Sequence, residues 1–237
     1  MTRYDFTTQP NRLDQNTMKW HEAESNPELL ELWVADMDFL PVPEIRDAVI
    51  NYAETHIFGY PYPSEELYQS IINWEKNQHG YVVDKESIVL IEGVVPAIST
   101  AIQAFTKEGD AVLINTPVYP PFARSVRLNN RKLIENSLVK VDGHFEIDFE
   151  QLERDIVDND VKLYVFCSPH NPGGRVWTKE ELTKVADLCQ KHGVLLVSDE
   201  IHQDLALYGN KHISMNTISD AYKDFTLVLS SATKTFN

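Results

Sequence analysis

The chain has 237 residues, 43% of them hydrophobic, enough for one large core or two modest ones. Its 21 Lys and Arg against 36 Asp and Glu leave a formal charge of −15, which disfavours nucleic acid and anionic membrane surfaces as partners. Only two cysteines occur, Cys167 and Cys189, without a CxxC spacing; this excludes a disulfide framework, and the longest apolar runs are too short to span a bilayer.

Residues 1–40 read as irregular, with no apolar run in Met1–Trp20, so a secretory leader is not expected and a cytoplasmic protein is. Within this stretch Trp33-Val34-Ala35-Asp36-Met37-Asp38-Phe39 places two acids among aromatics. Such a segment suits the edge of a site or of a partner subunit, or a partly buried loop. Helical spacing follows over 43–56, where Ile45, Val49, Tyr52 and Ala53 share a face. Phe58-Gly59-Tyr60-Pro61-Tyr62-Pro63 is too rich in Gly and Pro for a regular element. Ser64 then sits as a cap before Leu67, Ile71, Ile72 and Trp74.

From residue 87 short apolar runs alternate with helical patterns. Strands are expected at 88–91, 111–114, 161–167, 194–197 and 225–229. Between them lie a helix through Ile98, Ile102 and Phe105, one capped by Asp148, and one opened by the Thr178/Glu181 capping box and closed at His192-Gly193. Segment 118–147 carries no clear assignment beyond a turn at Asp142-Gly143. Near-continuous apolar strands separated by helices imply an α/β fold, a three-layer αβα sandwich around a mostly parallel sheet. In such sheets ligands bind beyond the carboxyl ends of the strands.

The chemistry-bearing residues fall there. Lys234, in Ser231-Ala232-Thr233-Lys234, offers an amine that can form a Schiff base with an aldehyde, although a lone lysine in such a turn is ordinarily surface decoration. Asp199 directly follows a buried-looking strand and needs a partner, for which a protonated pyridine nitrogen is suitable. A turn-capping role for Asp199, or a functional role for Glu200 instead, stays open. Asn171, in Ser168-Pro169-His170-Asn171-Pro172-Gly173-Gly174, can present an amide from a rigid loop or simply make a turn. The backbone N–H groups of Val94 and Val95, after Gly93, can hold phosphate. Tyr119 can stack on a flat ring or pack. The histidines show no metal-binding spacing, GxGxxG and the Walker lysine pattern are absent, and Ser198 lacks a GxSxG elbow.

These motifs, with Phe58-Gly59-Tyr60 and Ser198-Asp199-Glu200-Ile201-His202-Gln203-Asp204-Leu205, resemble the fold-type I enzymes dependent on pyridoxal 5′-phosphate (PLP), the aspartate aminotransferase superfamily. Within it the chain is most similar to the MalY/PatB group of cystathionine β-lyases. The resemblance runs from about Phe6 to Asn237. It implies Lys234 as the lysine joined to the cofactor and later the proton carrier, Asp199 at the pyridine nitrogen, and Asn171 and His202 toward the phenolic oxygen. It further implies Tyr119 stacked on the ring, and Val94, Val95 and Ser231 at the phosphate. Val34 and Ala35 are expected to close over the substrate carboxylate, and Tyr60 to enter the neighbouring subunit of a homodimer. His202 stands where many aminotransferases of this fold have tyrosine, which tilts the expectation toward an amino-acid C–S β-lyase; transamination and a regulatory protein-binding role are the rival expectations. The implied domains are 1–45, an arm and part of a small domain, and 46–237, an incomplete PLP-binding large domain. Chain beyond Asn237 is expected to supply a phosphate-binding arginine, a last strand and a C-terminal domain.

Overall fold

A computed structural model describes residues 4–26 and 28–237, with the Asp14 side chain outside the description, as is the Met1–Arg3 start of the expected arm. The chain divides into two compact units, one of Met1–Tyr62 with Ala232–Asn237 and one of Pro63–Ser231.

The Pro63–Ser231 unit is built on a five-stranded sheet with all neighbours parallel. Its strands are β1 (Ala111–Thr116), β2 (Lys132–Ser137), β5 (Val161–Cys167), β6 (Leu195–Asp199) and β7 (Thr226–Leu229), in the order β2-β1-β5-β6-β7. A short hairpin, β3 (Val139–Val141) and β4 (His144–Glu146), stands apart and turns at Asp142-Gly143, both with positive φ. The helices of this unit are α2 (Glu65–Trp74), α3 (Val94–Phe105), α4 (Pro121–Leu128), α5 (Phe149–Asp158) and α6 (Lys179–His192).

Successive strand side chains point to opposite faces, so the sheet divides the apolar residues into two clusters. Val112, Ile114, Leu163 and Val165 pack with Ile98 and Ile102 of α3 and Phe122 and Val126 of α4. Ala111, Leu113, Tyr164 and Phe166 pack with Leu152 and Ile156 of α5 and Leu182 and Val185 of α6. Both faces are thus covered by helices, which is the expected three-layer sandwich.

Local start and stop signals act as their chemistry requires. The side chains of Ser64, Asp148 and Thr178 accept from the backbone N–H three residues on, Thr178 within a complete capping box, and Gly193 ends α6 in the left-handed region at φ 67°.

Three assignments differ from the sequence expectation. Segment 88–91 is extended at Ile88 but pairs with no strand among the described residues, and Val89 is 83% exposed. An apolar run becomes a strand only when a neighbour supplies the ladder. Segment 118–147, whose pattern gives no clear assignment, contains β2 and α4. β2 hides its pattern because a buried asparagine replaces an apolar residue: Asn136 accepts from Asn115 Nδ2 at 3.0 Å and donates to Asp155 at 2.8 Å. α4 opens on Pro121 at its first position, where the missing N–H costs nothing, so the Pro pair marks a helix start rather than a loop.

The other unit contains α1 (Pro43–Thr55), as the spacing predicts, but no residue of α1 is buried. The Trp33–Phe39 stretch there is held by charge. Arg12 donates to both oxygens of Asp36 (2.7 and 3.2 Å) and to Asp38; Lys19 donates to Asp38 at 2.7 Å and to the Asp36 carbonyl at 2.9 Å; Trp20 Nε1 reaches Asp38 at 3.0 Å. Among the described residues no helix is long and apolar enough to cross a membrane, and no group of three His, Cys, Asp or Glu is placed to hold a metal.

Candidate active site

Seven of the expected residues lie in the Pro63–Ser231 unit, and strand register aligns the ends that lead to Asn171, Asp199 and Ser231. All the strands are parallel, so their carboxyl ends lie along one edge. Cys167, Asp199 and Leu229 stand level on β5, β6 and β7. The ladder closes with Ser168 N–H donating to Asp199 O (2.9 Å) and Glu200 N–H to Leu229 O (2.8 Å). The Asn171 loop and the Ser230-Ser231 turn therefore leave the sheet on either side of Asp199. Tyr119 follows β1, the next strand along, and is 42% exposed, its ring edge-on to Phe122. α3 begins at Val94, which belongs to the same apolar cluster as Cys167 and Val197. The N–H groups of Val94 and Val95 open this helix, where the backbone presents unsatisfied donors and a positive dipole end. His202 caps the short 3-10 turn Gln203–Leu205 and is half-buried.

The structure separates the two acids that the sequence left open. Glu200 is wholly buried and saturated: Oε1 accepts from Ser198 Oγ (2.9 Å) and Met215 N–H (3.0 Å), and Oε2 pairs with His212 Nε2 (2.9 Å). Asp199 is 4% exposed and takes one backbone hydrogen bond, from Ile201 N–H at 3.1 Å. Burial pushes its carboxyl up to about 6; the Ile201 bond works the other way, and the Glu200 charge adds to the rise. A buried carboxylate this poorly compensated suits a cation, such as a protonated ring nitrogen.

The loop that carries Asn171 is fixed from within. His170 pairs with Arg175 as an isolated bridge, and Gly174 N–H donates to His170 O at 2.9 Å. Asn171 N–H donates to Cys167 Sγ at 3.3 Å, and Trp177 Nε1 donates to Cys167 O at 2.9 Å. Gly173 N–H donates to His170 Nδ1 at 3.2 Å, and a Cβ at Gly173 would stand 2.4 Å from that nitrogen, so the position admits only glycine. Burial, reinforced by the Arg175 charge, holds the His170 imidazole down to about 4, in its neutral form. Sequence reasoning assigned no role to His170 or Cys167; the Gly173-Gly174 pair was the available signal for a close approach.

The Met1–Tyr62 and Ala232–Asn237 unit holds the rest. Lys234 is half-buried, and its Nζ donates to the carbonyl of Ala35 at 3.4 Å. The Asn237 side chain takes both backbone groups of Met37, accepting from N–H at 2.9 Å and donating to O at 3.2 Å. The sequence-predicted amine and the Val34-Ala35 backbone are thus neighbours. Asp36 and Asp38 serve the ion-pair network that shapes this backbone. Tyr60 is fully exposed, and Ile57 and Phe58 on the same stretch are exposed as well.

Comparison with known proteins gives these placements a family. Residues 27–237 match the family described as aminotransferase class I and II. Cystathionine beta-lyase PatB of Bacillus subtilis is 42% identical over 236 residues, covering 98% of this chain and 61% of that protein. Protein MalY of Escherichia coli is 35% identical over 212 residues, 89% of this chain and 53% of that protein. Among solved structures, cystalysin from Treponema denticola, which contains a pyridoxal 5′-phosphate cofactor, superposes with a TM-score of 0.93 at 40% identity over 99% of this chain and 61% of that one. The chain therefore spans about three-fifths of the length of the first two relatives or less. It belongs to the class I and II aminotransferase family, as a match over 211 of its 237 residues and relatives of this identity show.

Proposed function

We propose that the protein carrying this chain is a PLP-dependent carbon–sulfur β-lyase that cleaves cystathionine or a related L-cysteine thioether to a thiol, pyruvate and ammonia. The observation that carries the reading is Asp199: a buried, under-compensated acid at the tip of β6, level with the strand ends that lead to Asn171 and Ser231. Similarity to PatB, described as a cystathionine beta-lyase, and to the PLP-containing cystalysin supports both the reaction and the cofactor.

The residues present suit PLP. Asp199 would hold the ring nitrogen protonated, Asn171 and His202 would address the ring oxygen, and Tyr119 would lie against the ring. The Val94 and Val95 N–H groups and the Ser231 hydroxyl would hold the phosphate. When bound, PLP supplies a sink for the electrons left on the substrate Cα. Lys234 Nζ in its neutral form takes the Cα proton and can return it to the departing sulfur, so one amine serves as base and acid. The Val34-Ala35 backbone flanks the substrate carboxylate, and the 3.4 Å contact from Lys234 to Ala35 O fits a shared role at the amino acid.

The proposal extends to assembly and place. Tyr60, fully exposed beside exposed Ile57 and Phe58, would enter the site of a second subunit in a homodimer. Residues 1–45 would form an arm and part of a small domain, and 46–237 most of the cofactor-binding domain. Two buried free cysteines agree with a cytoplasmic protein.

Pyruvate release from cystathionine by the full-length protein tests the reading. Turnover without an added ketoacid is expected; dependence on a ketoacid would replace lyase with transaminase, and a protein that shows neither cofactor absorbance nor turnover would favour a binding role. Lys234→Ala should lower turnover by about 10²–10⁴-fold, the ordinary weight of a positioned acid–base group. Unchanged turnover in that variant would remove Lys234 from the mechanism.

A further inference from the structure

One polar cluster in the Pro63–Ser231 unit has no part in the scheme above. α2 does not end at Trp74 but passes into one turn of π-helix, Glu75–His79, closed by Gly80 at φ 69°. Such turns are uncommon and often accompany functional sites. This one brings Trp74, Glu75 and His79 to the 3-10 turn after β6. Trp74 Nε1 and His79 Nε2 meet Asp204 Oδ1 at 3.1 and 2.7 Å. Glu75 Oε1 accepts from Gln203 Nε2 at 2.7 Å, and the same Nε2 reaches Ser230 Oγ at 2.9 Å. Gln203 is 3% exposed and Glu75 9%.

Gln203 therefore ties together three segments that are distant in the chain: the π-turn, the turn that follows Asp199 and His202, and the end of β7. Ser230 immediately precedes Ser231. We infer that Glu75, Gln203 and Ser230 are positioning residues that set the Ser230-Ser231 turn for the phosphate of the cofactor, with Glu75 orienting the Gln203 amide so that its second N–H faces Ser230.

This rests on the proposed cofactor reading and adds to it a specific demand for the phosphate group. The geometry explains why a buried glutamate is present: an amide can serve two acceptors with one nitrogen only if its plane is held. A charge at Glu75 is not needed for that, only an acceptor. Burial pushes the Glu75 carboxyl up, with the Gln203 bond and His79 opposing and Glu200 and Asp204 reinforcing.

Binding of two aldehydes to the cofactor-free, full-length protein separates this role from a merely structural one. PLP and pyridoxal share the ring and aldehyde and differ in the phosphate. Gln203→Leu should weaken PLP binding about tenfold, the size of one lost hydrogen bond near a charged group, while leaving pyridoxal within about twofold. Glu75→Leu should do the same, and Glu75→Gln, which keeps an acceptor, should retain wild-type affinity for both. Ser230→Ala provides the same comparison if Gln203→Leu does not fold, as judged by its circular dichroism and melting. Equal weakening of PLP and pyridoxal, or unchanged PLP binding in Gln203→Leu or Glu75→Leu, would overturn the inference while leaving the cofactor reading intact. Wild-type protein that binds neither aldehyde would overturn both.

Discussion

Between β1 and β6 the apolar side chains of both sheet faces are enclosed by helices, and Ile98, Leu113, Leu163 and Phe166 are fully buried. In the Met1–Tyr62 and Ala232–Asn237 unit, among the described residues, Ala23 alone is a buried apolar side chain, and α1 buries nothing. There the backbone that carries Val34 and Ala35 is shaped by Arg12 and Lys19 against Asp36 and Asp38. The two regions thus place their candidate site residues by different forces. Apolar burial is short-ranged, cooperative and not screened by salt, which suits a rigid edge that carries Asp199 and Asn171. Ion pairs are directional and screened, and they hold a segment without a core beneath it.

The largest effect that would sharpen this contrast belongs to the sheet. Phe166→Ala removes a wholly buried ring and should cost about 3–5 kcal/mol, read from urea unfolding of the full-length protein. A cost under about 1 kcal/mol would mean that this core collapses around the loss and is not the rigid element described.

A comparable effect is expected at the site itself. Burial pushes the Asp199 carboxyl up to about 6 when folded, so between its ordinary value of 3.8 and about 6 the folded state binds more protons than the unfolded one. Stability is therefore lost as pH rises through that window. At pH 7 the cofactor-free protein should be stabilised by Asp199→Asn by roughly 3 kcal/mol, with the difference vanishing near pH 4. Equal stability of the two proteins at neutral pH would show that the carboxylate is already compensated and would weaken the case for a cation beside it.

The smallest of the three concerns the charged region. Arg12→Ala should destabilise the 33–39 backbone by about 1–3 kcal/mol, because two partly buried carboxylates lose a shared partner while Lys19 stays in place. Hydrogen exchange at Asp36 to Asp38 should rise in the variant and not in β5. The Arg12 hydrogen bond holds the Asp36 carboxyl below its usual 3.8. Its contribution is full above that value and fades as pH falls through the lower folded one. Unchanged exchange would mean that something other than these ion pairs orders the segment.

Much of this is legible in the sequence, where the physics is local. Helix starts at Ser64, Asp148 and Thr178, the stop at Gly193 and the hairpin turn at Asp142-Gly143 each depend on residues a few positions apart. The strand ends that carry Asp199 and Asn171 were legible because fully buried parallel strands read as continuous apolar runs. β2 is not, because one of its two buried positions is filled by Asn136, whose partners Asn115 and Asp155 lie some twenty residues to either side. The run at 88–91 misled for the converse reason: apolarity marks a segment able to pair but does not provide the neighbour.

The sequence by itself determined every long helix except α4, most of the strands, and the set of side chains able to serve an aldehyde cofactor, since these follow from period, capping and functional-group chemistry. Only the tertiary structure decided that Glu200 is occupied by Ser198, His212 and Met215 while Asp199 is not, that Asp36 and Asp38 hold Arg12 and Lys19, and that Glu75 meets Gln203 across 128 residues. The reason is the same in each case: a charged or polar side chain is defined by what compensates it, and in a folded chain the compensating group comes from wherever the sheet and its helices bring it.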